Sequence, residues 1–243
     1  MKFERVVIFL AALLATAATA RLGWWQLDRA AQKNALRAAV QAQRALPVLP
    51  SAALARDATQ VPAQLHRQVQ VTGRWQAKHT VFLDNRQMKG RPGFLVLTPM
   101  LLGDDSSVVV QRGWMPRDFI ERAHVDAPAL PEGDVQVLAR IASAPARLYE
   151  FAPSASGAIR QNLDLATFAQ ETGLRLRPLS LLMLAPAAGS ASDTLLRDWP
   201  EPATDVRTHY GYAFQWFALA ALIGGLYVSF QLIAPYRRAR AQP

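Results

Sequence analysis

His209 stands at the start of a long apolar run, and its neighbours are aromatic. Tyr212 follows at i+3 and Trp216 at i+7, so all three side chains share one face if this segment is helical. A neutral imidazole at a membrane boundary is a natural axial ligand for haem iron, and flat rings would pack against the mostly apolar porphyrin. Arginines on the aqueous side could pair with the propionates. The alternative is an interfacial histidine that caps the helix or bonds lipid head groups, and spacing alone favours this alternative.

The chain has few other groups for such chemistry. Its 243 residues include no cysteine and four histidines, which excludes disulfides, thiolate metal sites and C-x-x-C-H haem attachment. No G-x-S-x-G elbow, H-E-x-x-H helix, Walker loop or G-x-G-x-x-G turn occurs. His66, His79 and His124 fall in or near predicted loops, where we expect surface residues. We therefore assign no catalytic residue and expect a protein that is not an enzyme, although a catalytic triad could still assemble from distant positions.

The C-terminal apolar run is long enough to cross a membrane. No charged residue occurs from residue 210 to residue 235, and a helix of this length extends about 39 Å, against a hydrocarbon core of about 30 Å. Small residues recur in Ala220-x-x-x-Gly224 and Ala221-x-x-x-Gly225, a spacing that lets another helix approach closely. We predict a membrane span that pairs with the first apolar run or with a helix of another protein.

The other apolar run, Val6–Ala20, lies near the N-terminus. It is short for a membrane core, but it reaches farther if the Arg21 stem snorkels and if Trp24 and Trp25 lie at the interface. The alternative is a cleaved signal peptide, since Ala18-Thr19-Ala20 is similar to a cleavage site. Both interpretations place the residues that follow outside the cytoplasm.

Positive charge flanks both runs on the side away from the middle of the chain. Lys2 and Arg5 precede the first run, and Arg237, Arg238 and Arg240 follow the second. The positive-inside rule then predicts two membrane passes, with both termini cytoplasmic and the middle on the opposite side. The net charge of +9 reflects these flanks in part. The other arginines are spread along the chain, so we expect no nucleic-acid partner.

Between the two runs, the pattern predicts one long helix followed by strands. Gln26–Arg44 reads as a juxtamembrane helix whose basic residues contact water or lipid head groups, and residues 47–62 read as a linker. Leu163–Thr172 reads as a helix that begins near Asp164 and ends at Gly173. Segments rich in Val, Leu and Phe between Gly, Pro and Asp turns predict the strands Val69–Trp75, Thr80–Asp84, Gly93–Leu97, Ser107–Arg112, Val135–Ile141 and Leu179–Leu184.

These elements predict a membrane α+β protein. Two transmembrane helices flank a mainly antiparallel β domain, a small barrel or sandwich, with a few helices. The predicted divisions are an N-terminal anchor at 1–25, a juxtamembrane helix and linker at 26–62, a β-rich domain at 63–205, a second transmembrane helix at 206–236 and a basic tail at 237–243.

Several segments, in chain order, resemble the Surfeit-locus-one family of cytochrome c oxidase assembly factors, also called Shy-one. The resemblance covers nearly the whole chain, and Gln111 departs from it by standing where the family usually has Asn. The matching segments are Leu22–Arg29 with Lys33, Gly73–Trp75, Arg86, Pro92–Phe94 through Thr98-Pro99, Val108–Pro116, Gln161–Asp164 and His209–Phe217. The pattern R-G-W-x-P and the pattern H-x-x-Y-x-x-x-W are the most specific.

The resemblance implies a two-span assembly factor of the bacterial inner membrane, with an uncleaved first span and a periplasmic central domain. It implies that haem A is bound as cargo, with His209 as the axial iron ligand, and is delivered to oxidase subunit I. Subunit I is then the expected partner, with haem A synthase a further candidate and membrane lipids around the spans. The residues expected to contact the haem are His209, Tyr212, Trp216, Trp24, Trp25 and Arg112.

Alternatives remain at this stage for Arg112 and for the protein. Arg112 could reach a propionate or a partner carboxylate, but an arginine that bonds buried carbonyls, with Trp114 in the core, is the preferred interpretation. The whole protein could instead be a scaffold that holds subunit I without binding haem. A third hypothesis is a membrane-tethered periplasmic barrel that binds a ligand or acts as an enzyme.

Overall fold

Both apolar runs form long helices. In the computed structural model, helix α1 is Lys2–Ala45, and the C-terminal run forms α4, Arg207–Tyr227, followed by a π-helical segment, Val228–Ile233, and α5, Ala234–Arg240. The two helices are long and apolar enough to cross a membrane, and the rest of the protein buries little of their apolar surface. The predicted pair of flanking transmembrane helices is therefore confirmed.

The predicted juxtamembrane helix is not a separate element. Helix α1 continues through Gln26–Arg44 without a break, because no proline interrupts the segment and alanine and long straight side chains, all strong helix formers, fill it.

The structure describes residues 2–117, 125, 128–149, 157–187, 193–200 and 205–240, which divide into two compact units. The terminal helices form one unit, and Val40–Pro200 forms the other. The second unit contains short helices α2, Val61–Gln64, and α3, Leu165–Thr172. Its strands are β1 Leu49–Pro50, β2 Gln68–Trp75, β3 Val81–Met88, β4 Arg91–Leu102, β5 Ser107–Pro116, β6 Asp134–Ala142, β7 Ile159–Arg160 and β8 Leu176–Met183.

Five of these strands close into a barrel. The sheet order is β1-β2-β6-β8-β5-β4-β3-β7, and an additional pairing of β2 with β4 completes a ring of β2, β6, β8, β5 and β4. Most pairings are antiparallel, as predicted, but β8 runs parallel to β5 and antiparallel to β6, between which it lies. The predicted small barrel is confirmed, and β3 and β7 extend its sheet beyond β4.

The strands differ in how they meet the core. Residues along β2 alternate between buried and exposed, as expected for a strand with one face in the barrel and one in solvent. Strand β5 is buried at eight successive positions, because Val108 and Val110 pack inside the barrel while Val109 packs with Phe168 of α3 on the other face. The most deeply buried strand is thus the one that carries the Arg-Gly-Trp segment.

The interpretation of residues 47–62 as a linker is wrong. Leu54 and Ala55 are each 1% exposed and join the barrel core together with Val61. Arg177 of the barrel strand β8 binds the backbone of this segment: its Nη1 donates to the carbonyls of Leu54 and Ala55 at 2.5 and 3.2 Å. Large apolar residues are rare in the segment, but the few present are buried, which composition alone does not reveal.

Helix α3 begins and ends as predicted from its flanking residues. The side chain of Asp164 accepts a hydrogen bond from the backbone N–H of Thr167 at 2.9 Å, and Gly173 ends the helix with φ of +70°. These are the usual N-cap and C-cap solutions for unpaired backbone groups.

Candidate functional site

His209 is held by a side chain of the other terminal helix. Its Nδ1 lies 2.7 Å from Oε1 of Gln26, so with this amide orientation the imidazole donates from Nδ1 to the Gln26 oxygen. The ring is half-buried. Among the described residues, Gln26 is the one hydrogen-bond partner of the His209 ring. In the neutral tautomer that donates from Nδ1, the lone pair is on Nε2. The arrangement resembles a metal-binding histidine, in which an outer hydrogen bond fixes tautomer and ring orientation.

Further contacts continue the pairing of α1 with α4 in an antiparallel register. Lys33 donates to the backbone oxygen of Asp205 at 3.3 Å, and the ring centroids of Phe9 and Tyr227 lie 5.8 Å apart toward the other end. Asn34 donates to the hydroxyl of Tyr210 at 3.3 Å, beside His209. The polar contacts therefore cluster near the start of α4, and the apolar contacts lie deeper.

Gly23 packs directly against the ring of Phe217. A Cβ built at this position would lie 2.8 Å from two ring atoms of Phe217, so a larger residue would force the ring to move. Phe217 also meets Trp24 edge-on, with ring centroids 5.9 Å apart. By contrast, nothing among the described residues lies within 4 Å of a Cβ built on Gly224 or Gly225, so α1 does not approach α4 closely at these glycines, and a helix of another protein stays a predicted partner there.

The predicted aromatic residues lie on the same two helices as His209 and Gln26, and three of them are exposed. Tyr212 is 53% exposed, Trp24 64% and Trp25 42%, while Trp216 is half-buried on the same helical face as His209. The guanidinium of Arg29 lies over the Trp25 ring at 5.6 Å. The structure thus brings His209, Trp24 and Trp25 into one helical unit, with Tyr212 and Trp216 following along α4.

Arg112 lies in the barrel, in the other compact unit. The pairing of β4 with β5 shifts there: Val96 faces Gly113 while Leu97 faces Gln111, so Arg112 is the extra residue of a bulge. Its side chain is 1% exposed and Nη2 donates to the carbonyl of Pro128 at 2.8 Å. Among the described residues, Nε and Nη1 have no hydrogen-bond partner. The preferred interpretation, an arginine that bonds buried carbonyls, therefore accounts for only part of its donors.

Burial strongly perturbs this guanidinium. Removal from water lowers the pKa of Arg112 to about 10, opposed by the charge of Asp193 and reinforced by that of Arg197. Asp193 is itself paired with Arg197. The carboxylate whose charge favours the protonated form of Arg112 is thus already engaged by a second arginine.

Trp114 is a core residue, as the sequence suggested. It is 2% exposed, and its indole Nε1 donates to the backbone oxygen of Arg86 at 2.8 Å. Its backbone also exchanges hydrogen bonds with Leu196 at 2.7 and 2.8 Å. A Cβ on the neighbouring Gly113 would lie 2.6 Å from that of Leu195, so the glycine lets residues 195 and 196 dock against β5.

The other histidines lie apart from His209 in the chain. His66 precedes β2 and His79 ends a short 3-10 turn before β3, and both are half-buried. Burial lowers the pKa of each imidazole, helped by Arg140 and Arg44 for His66 and by Lys78 for His79. His124 lies outside the described residues. Among those that are described, no three His, Asp or Glu side chains gather as a metal site.

Three site residues were not singled out from the sequence: Gln26, Gly23 and Phe217. Each lies inside a segment that carried the family resemblance, but its own role depends on the opposite helix. A polar side chain on the helix that faces a candidate ligand, at the same membrane depth, is the signal that could have identified Gln26.

Comparison with known proteins agrees with the resemblance. A sequence model of the SURF1 family matches residues 13–221. A SURF1-like protein of Rickettsia bellii (strain RML369-C) is 26% identical over 211 residues, covering 85% of this chain and 83% of the relative. A SURF1-like protein of Rickettsia felis (strain ATCC VR-1525 / URRWXCal2) is 24% identical over 213 residues, covering 86% and 90%. The match spans the paired helices and the barrel, and the chain belongs to the SURF1 family, the Surfeit-locus-one proteins that its motifs resemble.

Proposed function

We propose that this protein is an assembly factor for cytochrome c oxidase that binds haem A through His209 and aids its insertion into subunit I. Membership of the SURF1 family supports the role in oxidase assembly. The haem step is supported above all by the hydrogen bond between His209 and Gln26. The proposal needs no catalytic residue, because the cargo is transferred unchanged.

The ring orientation of His209 suits an iron ligand. An imidazole that donates from Nδ1 presents the Nε2 lone pair, and an acceptor on Nδ1–H raises the basicity of the nitrogen opposite. Oε1 of Gln26 is such an acceptor, 2.7 Å away. An interfacial histidine that merely bonds head groups would need no such partner from the opposite helix.

The rings near His209 suit the body of a porphyrin. Trp24, Trp25 and Tyr212 are exposed to between 42% and 64% of their surface, so part of each side chain is open to an apolar ligand, although Arg29 lies over the Trp25 ring. Exposed aromatic rings are also the usual residues of a membrane interface. The same rings can therefore anchor the helices in lipid and flank the cargo.

We place the protein in the inner membrane with two passes, both termini in the cytoplasm and the barrel in the periplasm. The basic residues outside both spans support this orientation. Subunit I is the receiving partner, haem A synthase a candidate donor, and lipids surround the helices. The exposed apolar surface of α1 and α4 is available to both lipids and partner helices.

The test is the absorbance spectrum of the detergent-purified protein from cells that make haem A. We expect a haem Soret band in the wild type and loss of at least nine-tenths of it in His209→Ala. His79→Ala is the matched control, because His79 is a half-buried histidine of the barrel unit, and it should keep the band. Full haem occupancy in His209→Ala would contradict the ligand assignment. Co-purification of subunit I by a wild type that carries no haem would favour the scaffold.

A further inference from the structure

Arg112 is bonded unlike the other buried arginines of the barrel unit. Arg160 uses all three nitrogens, bonding the carboxylate of Glu171 and a backbone carbonyl. Arg177 also uses all three, bonding Asp104, a serine hydroxyl and two carbonyls. Arg112 is as deeply buried as either, yet within the described part of the chain only Nη2 is bonded. No described residue bonds Nε or Nη1, which together carry three N–H donors.

Unbonded donors on a buried cation are unfavourable, and native proteins rarely retain them. The fold could have avoided the problem with an apolar residue at this position, since a buried charge seldom adds to stability. The described residues thus leave Arg112 in need of a bonding partner. Arg112 is a cation, and the nearby carboxylate of Asp193 is already paired with Arg197, so the partner that would suit the unbonded donors best is an anion.

The bulge in β5 directs Arg112 toward a cleft. A residue inserted in a strand leaves the regular alternation, and bulges commonly re-aim a side chain in this way. The cleft has a volume of about 580 Å³, and Arg112 is part of its lining. Its walls are largely apolar, formed by Trp75, Phe82, Pro128 and Leu130 among others. The guanidinium lies 6.0 Å from the centroid of the Trp75 ring, and because Arg112 is only 1% exposed, it lies beneath the cleft surface, so side chains of the lining must move for a ligand to reach it.

These features restrict the kind of anion. An inorganic phosphate would gain nothing from the apolar walls, and Glu132, which also lines the cleft, would repel its concentrated double charge. A single carboxylate matches one guanidinium in charge and geometry. An apolar body attached to it would cover the aromatic and proline side chains.

We propose that this cleft binds an organic acid by its carboxylate, held by Arg112, with an apolar body against Trp75 and Phe82. The site belongs to the barrel unit and requires no iron, so it does not depend on the haem proposal.

The experiment compares acids with neutral analogues of the same shape on the full-length protein in detergent. The first pair is 3-phenylpropionate and 3-phenylpropanamide, and the second is metal-free protoporphyrin IX and its dimethyl ester. Binding is measured by titration calorimetry. At least one acid should bind roughly tenfold or more tightly than its neutral analogue, since charge-assisted bonds from one arginine contribute on this scale.

Variants then locate the preference. Arg112→Met should abolish the preference for the acid, and Arg112→Lys should reduce it, because lysine keeps the charge and loses the planar fork. Arg74→Met is the matched control, since Arg74 also lines the cleft but is exposed and pairs loosely with Asp134; it should keep the preference.

The pair that shows the preference identifies the source of the carboxylate: a porphyrin propionate or a separate small acid. Equal binding of acid and neutral analogue by the wild type in both pairs would overturn the proposal, without need of a variant that might fold poorly. A preference that survives in a folded Arg112→Met protein would overturn it as well.

Discussion

The bond between Gln26 and His209 gives the most direct test of how the helices prepare a ligand. We consider Gln26→Leu, which keeps the size of the side chain and removes the acceptor of Nδ1–H. The imidazole then loses the bond that fixes its tautomer and its rotation about χ2. We expect ferric haem to bind less tightly while the two helices still pair through Phe217 and Trp24.

The magnitude follows from the bond itself. A neutral hydrogen bond contributes about 0.5–1.5 kcal/mol net, and about 1.4 kcal/mol corresponds to tenfold in affinity. The distance of 2.7 Å between Nδ1 and Oε1 is short for such a pair, and coordination of iron makes Nδ1–H a stronger donor. We therefore expect a loss of roughly tenfold, at the lower end of the 10- to 100-fold known for outer partners of metal ligands.

The assay is a haem titration followed by Soret absorbance, together with ¹⁵N NMR of the imidazole in the haem-free protein. The wild-type spectrum should show Nδ1 protonated, and Gln26→Leu should shift the population toward the Nε2–H tautomer. Gln32→Leu is the matched control, because Gln32 lies on α1 and bonds only exposed side chains. An unchanged haem affinity and an unchanged tautomer in Gln26→Leu would refute the reasoning.

Three further predictions concern stability and packing. Arg177→Met should lower the free energy of unfolding of the barrel by about 3–5 kcal/mol, against about 1 kcal/mol or less for the exposed neighbour Arg175→Met, measured by guanidinium denaturation; equal losses would contradict the anchoring role of Arg177. Asp164→Ala should cost about 1 kcal/mol. Bonds from Thr167 lower the pKa of Asp164. The contribution of Asp164 to folding stability is therefore complete above its unfolded-state pKa and disappears as pH falls through its folded-state pKa. Melting temperatures of wild type and variant should converge in acid and differ at neutral pH. Gly23→Val should displace the Phe217 ring, seen as altered tryptophan fluorescence; an unchanged spectrum would contradict the close approach.

The strands of the barrel could be predicted because their signals are local. Alternating or continuous apolar residues between turn residues located β2 to β6 and β8 to within a few residues. Strands β1 and β7, of two residues each, are too short to carry a pattern. The insertion of β8 between β5 and β6 could not be read from the sequence, because strand pairing depends on the closure of the whole sheet.

In the candidate site, too, local patterns could be predicted and long-range contacts could not. The grouping of His209 with Tyr212 and Trp216 follows from helical periodicity alone. The contact with Gln26 joins residues 183 positions apart, and periodicity within one helix carries no information about it. The unbonded donors of Arg112 could not be predicted from the sequence either, because the bulge that redirects the side chain arises from the register of two strands.

The place of β8 in the ring also determines when the barrel can close during synthesis of the chain. Strands β5 and β6 are made before β8, yet they lie on either side of it. Ribosomes deliver a chain from its N-terminus at about 5–20 residues per second, so the ring cannot close until Leu176–Met183 has emerged. Helix α4 begins soon afterwards, at Arg207. The five-strand ring therefore cannot be complete until most of the chain ahead of α4 has been made.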